Sequence, residues 1–221
     1  MTIQIAVSTV ADGSMKSPDT DYLVTLSARQ TFLQRNNIQP SDTTLVHLTY
    51  GGSDYTRYIT VADNLKGDGI VRNPSLAVDA LVVTTPHHAL LLPLADCIGA
   101  VIHDSSQQVL MLSHLGRHNL EQWGATQSIK YLIETQGIDP ANLTVWLSPA
   151  AGQQNYPLFS FENRSMHDVA TEQFIAAGVP SQNITVSPVD TTTNNQYFSH
   201  SQFLAGNRDT DGRHCVVAMM Q

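Results

Sequence analysis

The sequence predicts an α/β fold, a single-domain α/β/α sandwich around a mixed β-sheet, over residues 1–221. Three observations lead there. Short apolar runs bounded by Gly, Pro, Asn, Asp and Ser recur along the chain and read as strands. A few longer stretches carry helix start and stop residues. Many strands are sequence neighbours while others are separated by helices, which gives a sheet of mixed direction. No linker, charge block or internal repeat divides the chain, and a hydrophobic content of 42% suffices for a core.

The elements follow in order. Residues 3–10 read as strand, and Ala11-Asp12-Gly13-Ser14 as turn. Residues 27–36 read as helix, with Ser27 as N-cap and Leu33 facing inward. Strands at 43–50 and 55–61 flank Gly51-Gly52-Ser53-Asp54. That segment is a turn, because a phosphate cradle would need a helix directly after it. Residues 63–74 form a loop. Strands at 79–85 and 88–94 surround a turn at Pro86-His87, which leaves His87 and His88 exposed. After the hairpin described next, residues 117–136 are the clearest helix, ended by Gly137 and Asp139-Pro140. A strand at 143–147, an irregular loop at 148–157 and a helix at 160–177 follow. Strands at 183–187, 196–200 and 214–219 complete the set, with Cys215 packed in the last.

The hairpin carries the chemistry. Ala95-Asp96-Cys97 precedes one strand, and Ser113-His114-Leu115-Gly116 ends the next. With Asp104-Ser105-Ser106-Gln107 as the turn, His103 faces Gln108 and Cys97 faces His114. Directly opposed residues have Cβ atoms about 4.5–5.5 Å apart. A thiol opposite an imidazole is a metal half-site or a catalytic dyad. The plain alternative is a packed cysteine and a hydrogen-bonded histidine. His103 shares the face of Cys97 but lies six residues along the strand, too far to share a ligand.

A net charge of −8 with only 11 Lys and Arg argues against a nucleic-acid or anionic-membrane partner. It leaves room for a small anionic substrate. The N-terminal residues enter a strand pattern without a basic stretch ahead of it, which predicts no signal peptide. No apolar run approaches the ~20 residues of a membrane span. Two cysteines fit a reducing cytoplasm.

The order of short motifs resembles the YfiH/laccase-domain family, also called multicopper polyphenol oxidase-like proteins, over nearly the whole chain. Ser8-Thr9 with Gly13 is similar to its opening strand and turn, and Asp79-Ala80-Leu81-Val82-Val83-Thr84 to its Asp-Ala-Leu-x-Thr strand. Leu94-Ala95-Asp96-Cys97 is similar to its Ala-Asp-Cys motif, and His114-Leu115-Gly116 to the start of its His-Ala-Gly-Trp-Arg-Gly motif. Ser148-Pro149 with Tyr156, and Phe198-Ser199 followed by Asp211-Gly212-Arg213, resemble its Gly-Pro loop and closing segment. The resemblance implies a compact α/β/α sandwich that holds zinc with two His and one Cys. It implies phosphorolysis of adenosine, inosine, guanosine or methylthioadenosine, and deamination of adenosine. The older multicopper label calls for many histidines, and the nine here form no His-x-His pair.

The departures cluster at the site. Tyr50 stands where the family has its first histidine, and His47 lies three residues earlier, on the opposite face of a straight strand. Arg117-His118-Asn119 replaces Trp-Arg-Gly, Ser201 and Gln202 replace two arginines, and Asp190-Thr191 replaces Cys-Thr. Arg117, Arg208 and Arg213 remain for anion binding, and only Arg213 sits on a motif position.

Three readings stay open. In the first, the resemblance implies a purine-nucleoside enzyme with zinc on Cys97, His114 and His47. Its catalytic set is Cys97, His114 and Asp96, and Arg213, Tyr50, His118 and His200 bind nucleoside and phosphate. In the second, Cys97 and His114 form a metal-free hydrolase or amidase dyad, since the family fold resembles the catalytic domain of cytotoxic necrotizing factor toxins. In the third, the chain is a non-catalytic member kept for binding.

Overall fold

A computed structural model describes residues 2–16 and 22–221, with side chains described from residue 25 onward in the first helix. The strands are β1 (Ile3–Val7), β2 (Thr43–Leu45), β3 (Tyr58–Thr60), β4 (Ala80–Val83), β5 (Ala89–Leu94), β6 (Ile98–Asp104), β7 (Val109–Leu115), β8 (Thr144–Leu147), β9 (Ile184–Val186) and β10 (His214–Met220). The helices are α1 (Tyr22–Arg35), α2 (Arg117–Glu121), α3 (Gly124–Gln136), α4 (Met166–Ala176) and α5 (His200–Leu204).

The mixed α/β architecture is the expected one, with its β layer divided between two packed sheets. A four-stranded sheet runs β1-β10-β5-β2 and a six-stranded sheet runs β3-β4-β7-β6-β8-β9. Strand alternation assigns the layers. Along β10, Cys215, Val217 and Met219 face α1, while Val216, Ala218 and Met220 face the other sheet. Along β7, Leu110 and Leu112 meet that inter-sheet layer, while Val109, Met111 and Leu115 meet α2, α3 and α4. Each sheet thus buries both faces, which is why these strands read as continuous apolar runs.

The chain crosses between sheets at two tight corners. His87, with φ 57°, carries it from β4 to β5, and Asp96, with φ 76°, carries it from β5 to β6. The first crossing folds His88 inward, so its expected exposure is wrong. His88 is fully buried, with Nε2 2.8 Å from Thr44 Oγ1.

The hairpin register also needs correction. Asp104 pairs with Val109 and Gly99 with His114, so Cys97 does not stand opposite His114. The turn holds two more residues than expected. Asp104 Oδ1 accepts hydrogen bonds from Ser106 N at 2.8 Å and Gln107 N at 3.2 Å, and Gln108 takes φ 56°. A shift of two residues preserves the face of every side chain. Cys97 and His114 therefore still point into the inter-sheet layer.

Other boundaries moved for local reasons. The helix expected at 27–36 begins at Tyr22, which places Ser27 inside it. The helix expected at 117–136 is broken at Trp123, which adopts φ 59°. There Gly124 packs so closely that a Cβ would stand 2.7 Å from the Asn119 carbonyl oxygen. The helix expected from 160 begins at Met166, where the Ser165 hydroxyl accepts from Asp168 N. The strand expected at 196–200 does not form, because Ser199 caps α5 through a bond from Gln202 N.

Candidate active site

Cys97 and His114 lie at one end of the inter-sheet layer, on the floor of a cavity of about 470 Å³. The corner that delivers Cys97 is braced by Asp96. Its Oδ1 accepts from Thr191 Oγ1 at 3.0 Å, its Oδ2 from Ser201 N at 2.7 Å, and its carbonyl from Ala151 N at 2.8 Å. A buried carboxylate in a left-handed backbone conformation is strained, and these bonds hold it there. Both carboxylate oxygens of Asp96 are thus committed to positioning three loops around Cys97.

Gly116 leaves the space in which thiol and imidazole meet. A Cβ there would lie 2.8 Å from Cys97 Sγ, 3.1 Å from His114 Cε1 and 3.3 Å from His114 Nε2. The two reactive side chains therefore border one small volume.

Both are uncharged at neutral pH. Burial, reinforced by Asp96, pushes the Cys97 thiol up to about 12, against the pull of Arg213 and Arg117. Burial pushes the His114 imidazole down to about 4, outweighing the nearby Asp79 carboxylate. Among the described residues neither ring nitrogen of His114 makes a hydrogen bond of ordinary geometry, although the Asn119 side chain lies close enough to favour its charged form. A buried imidazole without a partner is costly, and a ligand entering the cavity can satisfy it. A metal-free hydrolase of the thiolate–imidazolium kind needs a low-pKa thiol, and Cys97 is the reverse.

The place expected for a third ligand is set by a buried ion pair. Asp79 Oδ2 accepts from Arg57 Nε at 2.7 Å and from Arg57 N at 3.1 Å. Arg57 also donates to Thr49 Oγ1 at 2.6 Å and to Thr49 O at 3.0 Å. That clamp fixes the strand exit so that Tyr50 lines the cavity and His47 does not. The His47 ring instead lies with Nδ1 3.2 Å from the Leu76 carbonyl. Among the described residues, no group of three or more His, Cys, Asp or Glu side chains converges to hold a metal ion. Cys97 and His114 make a half-site, which fits neither a three-ligand zinc centre nor a multicopper centre.

The walls differ from the floor. Arg117 and Arg213 both line the cavity. Arg213 NH1 donates to Asp211 Oδ1 at 2.6 Å and to Gly212 O at 2.7 Å, which leaves Nε and NH2 for a ligand. His118 stacks on Tyr55 at 4.9 Å between ring centroids. His200 lies on the same wall, with Nδ1 2.8 Å from Asp211 Oδ1. Arg208 does not line the cavity, and its NH2 binds the Thr192 carbonyl at 3.3 Å.

The cavity also contains residues that the motifs did not single out as site residues. Tyr55, Asn119 and Tyr156 line it. Asn119 Oδ1 accepts from Gly116 N at 3.1 Å and its Nδ2 donates to Tyr55 O at 2.7 Å, tying the start of α2 to the aromatic wall. An asparagine three residues after a glycine that ends a strand is the capping pattern that marks such a residue.

The family model for multi-copper polyphenol oxidoreductase laccase matches residues 14–168, more than half of the chain. The chain belongs to that family. Solved structures agree on the fold. The hypothetical protein YfiH of Bacillus licheniformis superposes with a TM-score of 0.84 at 19% identity, over 99% of this chain and 93% of that one. YlmD from Geobacillus stearothermophilus gives 0.78 at 20% identity, over 89% and 80% of the two chains. Neisseria meningitidis protein NMB0706 gives 0.74 at 13% identity, over 99% and 94%. No functionally curated protein matches the chain. No helix among the described residues is long and apolar enough to cross a membrane.

Proposed function

We propose that the cavity binds a purine nucleoside together with phosphate and cleaves the glycosidic bond by phosphorolysis. One observation carries this reading: a single cavity of about 470 Å³ combines an uncharged Cys–His floor with aromatic and arginine walls. That volume lies in the range of small-molecule sites. The Tyr55–His118 pair and Tyr156 offer flat faces to a purine. Arg117 and Arg213 offer charged donors to phosphate oxygens. His114, without a hydrogen bond of ordinary geometry among the described residues, and the Cys97 thiol hydrogen-bond ribose or purine edges without introducing charge.

Phosphorolysis is favoured over deamination. Deamination needs a strongly activated water, and the metal donors that would activate it are reduced to two. Asp96 acts from behind, by holding Cys97 and the first turn of α5.

Replacing Cys97 by Ala, with inosine and phosphate as substrates, tests the reading. Release of hypoxanthine and ribose 1-phosphate is expected from the unaltered protein, with at least about a tenfold loss in the variant, the equivalent of one hydrogen bond of about 1.4 kcal/mol. Turnover no higher than that of the variant rejects it. A second reading, a nucleoside-binding protein without catalysis, is favoured by the incomplete donor set. It predicts a ligand-induced rise in melting temperature with no product.

A further inference from the structure

The cavity wall carries an imidazole–carboxylate pair built apart from the Cys–His floor. His200 opens α5 and lines the cavity, with its side chain 43% exposed. Two anchors fix it. Its backbone turn is held by Asp96 Oδ2 accepting from Ser201 N at 2.7 Å. Its ring is held by Asp211 Oδ1, 2.8 Å from Nδ1.

Asp211 sets the tautomer. Burial raises its pKa, but hydrogen bonds from Lys16, Arg213 and His200 outweigh this and hold the carboxyl well below the usual carboxylate range. An ionised carboxylate only accepts, so the Nδ1 position carries the hydrogen. Among the described residues Nε2 has no hydrogen-bond partner, and it is the nitrogen left to exchange a proton with a ligand. The charged groups around His200 are Asp211 and Arg213 from the loop before β10, Lys16 from the N-terminal loop through Asp211, and Asp96 from the β5–β6 corner.

We propose that His200, positioned by Asp211 and protonated on both ring nitrogens, is the general acid of this cavity and delivers its Nε2 proton to the departing purine. The inference rests on the phosphorolytic reading above. A phosphate oxygen forms a bond to C1′ as the C1′–N9 bond breaks. The purine leaves with that electron pair and takes the Nε2 proton at a ring nitrogen. His200 regains a proton from the phosphoryl hydroxyl of the new ribose 1-phosphate. In sum, one proton passes from phosphate to purine, and no redox partner is needed. Asp211 is a positioning residue, acting through the imidazole.

The experiment compares inosine with 7-methylinosine, whose cationic purine leaves without protonation. In H200Q, kcat/KM for inosine is expected to fall about 10²-fold, while 7-methylinosine turnover stays near that of the unaltered protein. That second substrate also shows that the variant is folded. D211A removes the anchor on Nδ1 and is expected to lower kcat/KM for inosine by a smaller factor, again sparing 7-methylinosine. Equal losses on both nucleosides in H200Q overturn the role of His200 alone. Inactivity of the unaltered protein on both nucleosides overturns the phosphorolytic reading, and this inference with it.

Discussion

The floor and the wall of the cavity are built on opposite terms. The floor belongs to strands. Cys97, just before β6, and His114, in β7, project into the layer between the two sheets, both uncharged, and His114 has no hydrogen bond of ordinary geometry among the described residues. The wall belongs to loops and short helices. Arg213 and His200 line it and both pair with Asp211, which Lys16 also binds from outside the lining. Sheet burial gives the floor its fixed geometry and removes its charge. Solvent access lets the wall keep charge and move protons. The proposed recognition of a nucleoside and an anion together draws on both.

Breaking the floor's support gives the largest effect. Asp79 is buried and fixes both the Tyr50 strand exit and, through its carbonyl, His114 N at 2.8 Å. Asp79→Ala removes the carboxylate that holds the Arg57 side chain and backbone N–H and is expected to cost about 2–3 kcal/mol in urea unfolding. A loss under 1 kcal/mol would show that the floor does not depend on this clamp.

Gly116→Val comes next. Its side chain must enter the space between Cys97 Sγ and His114, costing about 1–3 kcal/mol and abolishing any inosine-induced shift in melting temperature. On the wall, Arg213→Ala is expected to raise KM for phosphate about tenfold, equivalent to about 1.4 kcal/mol, with kcat less affected. An unchanged KM would remove Arg213 from the anion site.

Asp211 gives a smaller, pH-dependent effect. Its folded pKa lies below the ordinary value of 3.8. The stability it contributes is therefore present above that value and fades as pH falls toward the folded pKa. Asp211→Asn should be less stable than the unaltered protein at pH 7, with the gap closing below about pH 3.8 in thermal melts. Chelation should have the least effect, because the floor offers two donors. EDTA is expected to leave turnover unchanged, and loss of turnover would mean that the floor recruits a metal.

Much of the floor was legible in the sequence because strands alternate. The face shared by Cys97 and His114 survived a two-residue error in register, since such a shift preserves facing. The error itself came from the Asp104 side chain, which widens the turn by accepting bonds from Ser106 and Gln107. The division into two sheets was hidden, because consecutive apolar runs look the same whether the chain reverses within a sheet or crosses to another. His87 and Asp96 take positive φ at the two tight crossings, and only their residue types, which adopt that conformation more readily than most, hint at it. The wall was least legible. His200 looked like the end of a strand, and its pairing with Asp211 arises from loops that meet only in the folded chain. The sequence leaves Tyr50 and His47 both open as a third contributor; in the fold Tyr50 lines the cavity and His47 does not, and the Arg57–Asp79 clamp holds Thr49 between them.

The most direct measurement of the central claim is purine release from inosine with and without phosphate, followed by chromatography of both products. Phosphorolysis predicts hypoxanthine and ribose 1-phosphate in equal amounts, formed only when phosphate is present. Hypoxanthine released at the same rate without phosphate, or no release under either condition, would contradict it.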